Sequence, residues 1–158
     1  GEKEANNIRR MSRSDIDAVI SLERKTGGNV SSISRRDLII TDPGGPLDFS
    51  FVYEADGRIV GFVLARLAHL GIPFVEICCI NGIVVEHEYQ RQGIGNQLLG
   101  RVLDMCYAEG ISKARAFVDE ENAELKRFVK ELGFKPSSIL NYDVDFEYVE
   151  AKPSTRQP

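Results

Sequence analysis

The sequence predicts an α/β fold built around one mixed sheet, and three observations predict it. Runs rich in β-branched residues alternate with stretches whose apolar residues recur at i, i+3, i+4 and i+7. An Asp56-Gly57 pair sits between two of the β-like runs, where it favours a tight hairpin. A turn with two glycines, Gln90-Arg91-Gln92-Gly93-Ile94-Gly95, joins an apolar run at 77–85 to an amphipathic run at 94–106. Strand meets helix there through backbone that carries little side-chain bulk. With 158 residues, 42% of them hydrophobic, the chain is long enough to bury a core.

Taken in order, residues 8–11 form a short apolar–basic first strand. Ser12 or Ser14 caps the helix that follows, Asp15 and Asp17 suit its positive end, and Ile16, Val19 and Ile20 make its apolar face. Thr26-Gly27-Gly28-Asn29 breaks it. A second short helix is expected over 34–40, stopping before the turn cluster Asp42-Pro43-Gly44-Gly45-Pro46. Strands over 49–54 and 58–67 flank the Asp56-Gly57 hairpin, and Gly71-Ile72-Pro73 ends the second. The next strand spans 74–85 and carries Asn81-Gly82 in its middle. A glycine among β-branched residues marks a bulge or a close backbone approach.

The helix after the glycine turn closes on Gly110, with Ile94, Leu98, Val102 and Met105 or Cys106 as its buried stripe. A short strand over 114–118 follows. Asn122 opens a helix in which Leu125, Phe128, Val129 and Leu132 share one face, and Gly133 caps it. Pro136 marks a bend, and 142–149 reads as a last strand with Tyr142, Val144, Phe146 and Tyr148 alternating. The expected organisation is one domain over 1–150 with a disordered polar tail at 151–158.

Charge and composition exclude several classes. A net charge of −4 argues against a nucleic-acid binder working through a broad basic face. Cys78, Cys79 and Cys106 form no CxxC pair, and His69 and His87 lie far from any metal spacing, so no metal is expected. No apolar run approaches a membrane span, and Gly1-Glu2-Lys3-Glu4 has no signal-peptide character. The expected location is cytoplasmic.

A glycine turn that opens a helix aims backbone N–H groups at one point, where the helix dipole favours an anion. A triphosphate P-loop needs Gly-Lys-Ser/Thr after four residues, and no such string occurs. A dinucleotide fingerprint started at Gly93 fails at its sixth position, which is Leu98.

The stretch from Val84 to Leu99, centred on Gln90-Arg91-Gln92-Gly93-Ile94-Gly95-Asn96, resembles the coenzyme A pyrophosphate signature of the GNAT family of N-acetyltransferases. Asn122, Phe128 and Leu132-Gly133-Phe134 resemble that family's second motif, in the right order with a helix and a strand between. The resemblance covers 49–146. It implies a single mixed, mainly antiparallel sheet with helices on both faces and a splayed central strand pair. It also implies transfer of an acetyl group from acetyl-CoA, as cosubstrate, to an amine by direct attack in a ternary complex. The acceptor classes are a protein N-terminus, a lysine or a small amine, and a homodimer is a candidate assembly. The turn and strand look most like those of ribosomal-protein N-terminal acetyltransferases.

By the same resemblance, Ile83, Val84 and Val85 would line the pantetheine arm, with a backbone N–H near Val85 as oxyanion donor. Arg91, Gln92, Gly93, Ile94, Gly95 and Asn96 would hold the pyrophosphate, and Asn122 would reach the cofactor arm. Arg91 reads equally as a solvated arginine and Asn122 as a helix cap. Where many relatives carry a tyrosine acid, this chain has Val129. Tyr142 and Glu76 are the remaining candidates for proton handling, against plainer roles as a sheet aromatic and a strand-end carboxylate. A cysteine nucleophile at Cys78 or Cys79 is disfavoured because no histidine lies near them in sequence. The missing tyrosine leaves an acetyl-CoA-binding sensor with little catalysis as the alternative.

Overall fold

The computed structural model of the chain describes residues 7–27, Leu38 and 44–147. Among these, β1 (Ile8–Arg10), β2 (Phe51–Ala55), β3 (Arg58–Leu70), β4 (Val75–Val85) and β5 (Ala114–Arg115) form one sheet in the order β1-β2-β3-β4-β5. The first three pairings are antiparallel and the β4–β5 pairing is parallel. Four α-helical segments accompany it: α1 (Ile16–Gly27), α2 (Pro46–Phe49), α3 (Ile94–Ala108) and α4 (Ala123–Glu131). The expected α/β fold with a mixed, mainly antiparallel sheet is the one observed.

Alternation along β3 divides the core between two faces. Val63 and Ala65 pack with Leu98 and Val102 of α3, whereas Phe62 and Leu64 pack with Ile16, Val19 and Ile20 of α1. Successive strand residues point to opposite sides, so one strand feeds both layers. Val60, Phe62, Val63, Leu98 and Val102 are fully buried, each stabilising the fold by about 1.5–3 kcal/mol relative to exposure.

Local chemistry fixes the ends of the elements. A 3-10 turn over Arg13–Asp15 precedes α1, and the Asp15 carboxylate accepts from the Ser12 N–H at 2.8 Å and from Arg9 at 2.6 and 2.8 Å. The Arg9 guanidinium is the main cause that holds this buried carboxyl below the usual carboxylate range. Gly110, at φ +76, follows the end of α3 as its glycine predicts.

Several expectations change. The 46–49 stretch is a helical turn, with Pro46 at its start and the Ser50 N–H donating to the Pro46 carbonyl at 3.0 Å, so β2 begins at Phe51. β5 is two residues long, since beyond Arg115 it has no partner on β4. Residues 142–147 form no strand, because no described strand lies beside them to complete a ladder. The helix expected at 34–40 falls outside the described residues apart from Leu38, which is helical and buried. The tail at 151–158 also lies outside them.

Candidate functional site

The site is built where β4 ends. A 3-10 turn, His87–Tyr89, carries the chain from Val85 to Gln90. Arg91 and Gly93 then both take left-handed backbone, at φ 64 and φ 81, before α3 begins at Ile94. Left-handed backbone costs an L-residue about 1–2 kcal/mol, and glycine escapes that cost at position 93. The first helical bond runs from the Gln97 N–H to the Gly93 carbonyl at 3.0 Å. The N–H groups of Ile94, Gly95 and Asn96 precede it, no side chain caps them, and they donate to no protein acceptor among the described residues. A Cβ placed on Gly93, the residue just before these donors, would meet nothing within 4 Å. A helix start of this kind stabilises an anion by about 0.3–1 kcal/mol, and by up to about 2 kcal/mol when partly buried. Arg91 and Gln92 are exposed at its rim.

The strand leading to the turn has one open edge. Among the described residues, β4 pairs with β5 through Cys78↔Ala114 and Cys79↔Arg115 and with nothing on that side afterwards. The register with β3 jumps from Leu64↔Gly82 to Ala65↔Ile80, which leaves Asn81 as the extra residue of a bulge. This bulge reverses which edge each backbone group serves. The Cys78 N–H donates to Lys113 beside β5, but the Glu86 N–H, an even number of residues later, donates to Val60 on β3. Backbone groups alternate edges along a strand, so Ile83 and Val85 present their N–H and C=O groups to the open side. The Val85 carbonyl accepts there from Gln90 Nε2 at 2.9 Å, tying the turn to the strand end.

Gly95 couples the turn to α4. Phe128 and Leu132 pack over this position: a Cβ here would lie 3.4 Å from the Phe128 ring and 3.8 Å from Leu132 Cδ2, at ordinary contact distance. Asn122 caps α4, its Oδ1 accepting from the Leu125 N–H at 3.1 Å. The helix-cap role of Asn122 is therefore real, and the residue is exposed.

Behind the turn lies a charge cluster that sequence reasoning missed. Glu86 is 4% exposed, and its carboxylate accepts from Lys25 of α1 at 2.9 Å and from Arg58 of β3. The Arg58 hydrogen bond first and the Lys25 bond second hold its carboxyl down to about 2. The Arg58 guanidinium stands 5.5 Å over the Tyr89 ring, and the Tyr89 hydroxyl donates to Asp56 at the hairpin tip. The β2–β3 hairpin and α1 are thus pinned to the root of the turn. Glu86 sits in a polar Glu-His-Glu run with no periodicity, and its partners are 28 and 61 residues away in sequence, so no local signal could have found it.

Of the candidate residues, the structure brings Ile83, Val84, Val85 and Arg91 to Asn96 together, with Asn122 on the adjoining helix. It does not bring Glu76 or Tyr142 to them. Glu76 is exposed at the far end of β4, 3.4 Å from His69, roughly 30 Å along the strand from Val85. Tyr142 is 86% exposed on the segment after Pro136. Val129 is half-buried and its carbonyl accepts from the Phe134 N–H, as a packing residue would. Cys78, Cys79 and Cys106 are buried thiols whose burial pushes each above its ordinary range, which suits packing and not nucleophilic attack.

Fold and site together define an α/β protein in which a parallel strand pair parts beside a helix start whose first N–H groups have no protein acceptor among the described residues. Residues 16–134 match the sequence profile of the acetyltransferase (GNAT) family. The chain belongs to that family. It is 29% identical over 94 residues to the uncharacterized N-acetyltransferase MJ1207 of Methanocaldococcus jannaschii, a match that spans 59% of this chain and 42% of that relative.

Among solved structures, the aminoglycoside 6'-N-acetyltransferase AAC(6')-Ih of Acinetobacter baumannii superposes with a TM-score of 0.72 at 17% identity, over 89% of this chain and 99% of its own. AAC(6')-Iy, solved with the bisubstrate analogue CoA-S-monomethyl-acetylneamine, gives 0.71 at 18% identity over 88% and 97%. A possible acetyltransferase of Clostridium difficile 630 gives 0.68 at 20% identity over 89% and 97%. At these identities the likeness is one of fold.

Proposed function

We propose that the chain transfers an acetyl group from acetyl-CoA to an amine, with the glycine turn as the pyrophosphate site and the open edge of β4 as the pantetheine track. The observation that carries this reading is the run of N–H groups from Ile94 to Asn96 that have no protein acceptor, at the end of a strand whose edge past Cys79 is unpaired among the described residues. Three fixed donors at a helix start match a pyrophosphate, and a free strand edge matches an amide-bearing arm that binds like an added strand.

Acetyl-CoA supplies an acetyl thioester when bound. Ile83 and Val85 offer it backbone partners, and the Val85 N–H is the donor for the carbonyl oxygen as charge develops there. The acceptor nitrogen attacks the carbonyl carbon, so an N–C bond forms and the C–S bond breaks. One proton leaves the amine and one reaches the departing sulfur. Val129 has no proton to give. Tyr142 is the candidate acid and must come to the track from where it now stands, whereas Glu76, held in the ladder at the opposite end of the same strand as Val85, cannot reach it as base.

The acceptor proposed is an exposed amine on a small molecule or a polypeptide end. The aminoglycoside acetyltransferases of like fold favour a small polyamine, whereas the strand-and-turn resemblance favours a peptide N-terminus. The half-buried Val129 supports a second reading, an acetyl-CoA sensor with little turnover. An acceptor panel separates them: aminoglycosides, polyamines, lysine and N-terminal peptides are incubated with acetyl-CoA and thiol release is followed. Turnover with one amine class is expected. Tight acetyl-CoA binding without turnover on any amine would favour the sensor. In the same assay Tyr142→Phe should slow transfer at unchanged acetyl-CoA affinity, and an unaltered rate removes Tyr142.

A further inference from the structure

Three neighbouring strands carry a short basic row where β4 and β5 part. Arg66 of β3 pairs with Cys79 of β4, and Cys79 pairs with Arg115 of β5, the last β4–β5 pairing among the described residues. The residues on either side of each, Ala65 and Leu67, Cys78 and Ile80, Ala114 and Ala116, pack into the core shared with α3. Alternation therefore turns Arg66, Cys79 and Arg115 to the opposite face, where Phe62 and Leu64 meet α1. Two strand spacings set the arginine Cβ atoms about 10 Å apart, with only a cysteine between them.

The row lacks a counter-charge. Both arginines are half-buried, and among the described residues neither meets a carboxylate. Arg66 Nε donates to the neighbouring Leu67 carbonyl at 3.4 Å, which leaves the rest of its guanidinium unused among the described residues. Leu64, Ala68, Ile77 and Asn81, two places along the same strands, bring no acid to this face. Burial pushes the Cys79 thiol up, and the charges of Arg115 and Arg66 act on it in the opposite sense, so both cations are felt at its sulfur. Like charges on one sheet face repel, and an anion bound between them removes that repulsion.

The other face of the gap is closed, because Ile83, Ala116, Leu132 and Phe134 pack there against the core under α3. An acceptor therefore reaches a thioester on the β4 track from the arginine side. Resting on the acetyl-transfer reading above, we propose that Arg66 and Arg115 bind an acidic group of the acceptor, which is a peptide N-terminus with Asp or Glu among its first three residues. Cys79 lies four residues, or about 13 Å, from Ile83. The first residues of an extended peptide, at about 3.5 Å each, and an acidic side chain cover that span. A polycationic amine is repelled by the same row.

Anisotropy titrations in the presence of CoA test this with two labelled peptides, alike except for Glu or Lys at their second and third positions. The wild type should bind the acidic peptide at least about tenfold more tightly. Arg66→Gln with Arg115→Gln should abolish that preference. Arg66→Glu with Arg115→Glu should reverse it, which a misfolded variant could not do. Equal affinity for the two peptides, binding of neither, or a preference that survives either pair of changes in a folded protein would each overturn the proposal. Faster acetylation of the lysine peptide by the wild type would overturn it as well. Thiol release from acetyl-CoA is followed separately: an acidic preference in binding with no release on any amine would sink the transfer reading and leave the arginine site standing.

Discussion

At the scale of the residue, Glu86 shows how a buried charge can hold a site it does not enter. Its carboxylate joins α1 through Lys25 and β3 through Arg58 directly behind the first residues of the turn. Those two cations depress its carboxyl from an ordinary 4.5 to about 2. A group with a lowered folded value adds stability that is complete above the unfolded value and is lost as pH falls through the folded one. The wild-type melting temperature should therefore decline between pH about 4.5 and about 2. Glu86→Gln should melt lower at neutral pH and show a shallower decline across that window. Thermal scans over a pH series check both. A variant whose profile overlays the wild type would mean that Glu86 adds nothing to stability. Sequence reasoning reached Gly93 and Gly95 because glycine at a strand–helix junction is a local signal. It could not reach Glu86, whose partners come from two other elements.

At the scale of the element, a one-residue bulge in β4 and the contact of Phe128 with Gly95 do the positioning. Asn81 turns the backbone groups of Ile83 and Val85 to the open side, and Phe128 seats α4 against Gly95 on the turn. Phe128→Ala should cost about 2 kcal/mol, below the 3–5 kcal/mol of a fully buried Phe because this ring is half-exposed. It should also raise the KM for acetyl-CoA more than it lowers kcat, since α4 carries Asn122 and not the reacting groups. Chemical denaturation and steady-state kinetics check this, and an unchanged KM would uncouple α4 from the turn.

Most elements were legible from period and punctuation: the Asp56-Gly57 hairpin, the α3 stripe and its Gly110 end, the Asn81-Gly82 bulge. The α2 turn at Pro46 was hidden inside a cluster that reads as loop. The short β5 was not legible either, because its length depends on where β4 diverges from it.

At the scale of the whole molecule, the sheet has one purpose-built opening and one incomplete edge. The opening lies between β4 and β5, beside the glycine turn; among the described residues the other side of β5 is unpaired. Alternation at 142–149 was read as a last strand, and the described part of that stretch stands exposed instead. Periodicity records what a segment is suited to pair with, but not whether a partner strand lies beside it.

The central claim is that the turn holds the pyrophosphate of acetyl-CoA, and isothermal titration of acetyl-CoA into wild type and Gly93→Val tests it most directly. Valine at a backbone of φ +81 strains the turn and puts a branched side chain just before the N–H donors. The wild type should bind, and the variant should lose at least about tenfold in affinity, or about 1.4 kcal/mol, while retaining a cooperative melt. Equal affinity in a folded Gly93→Val protein would contradict it.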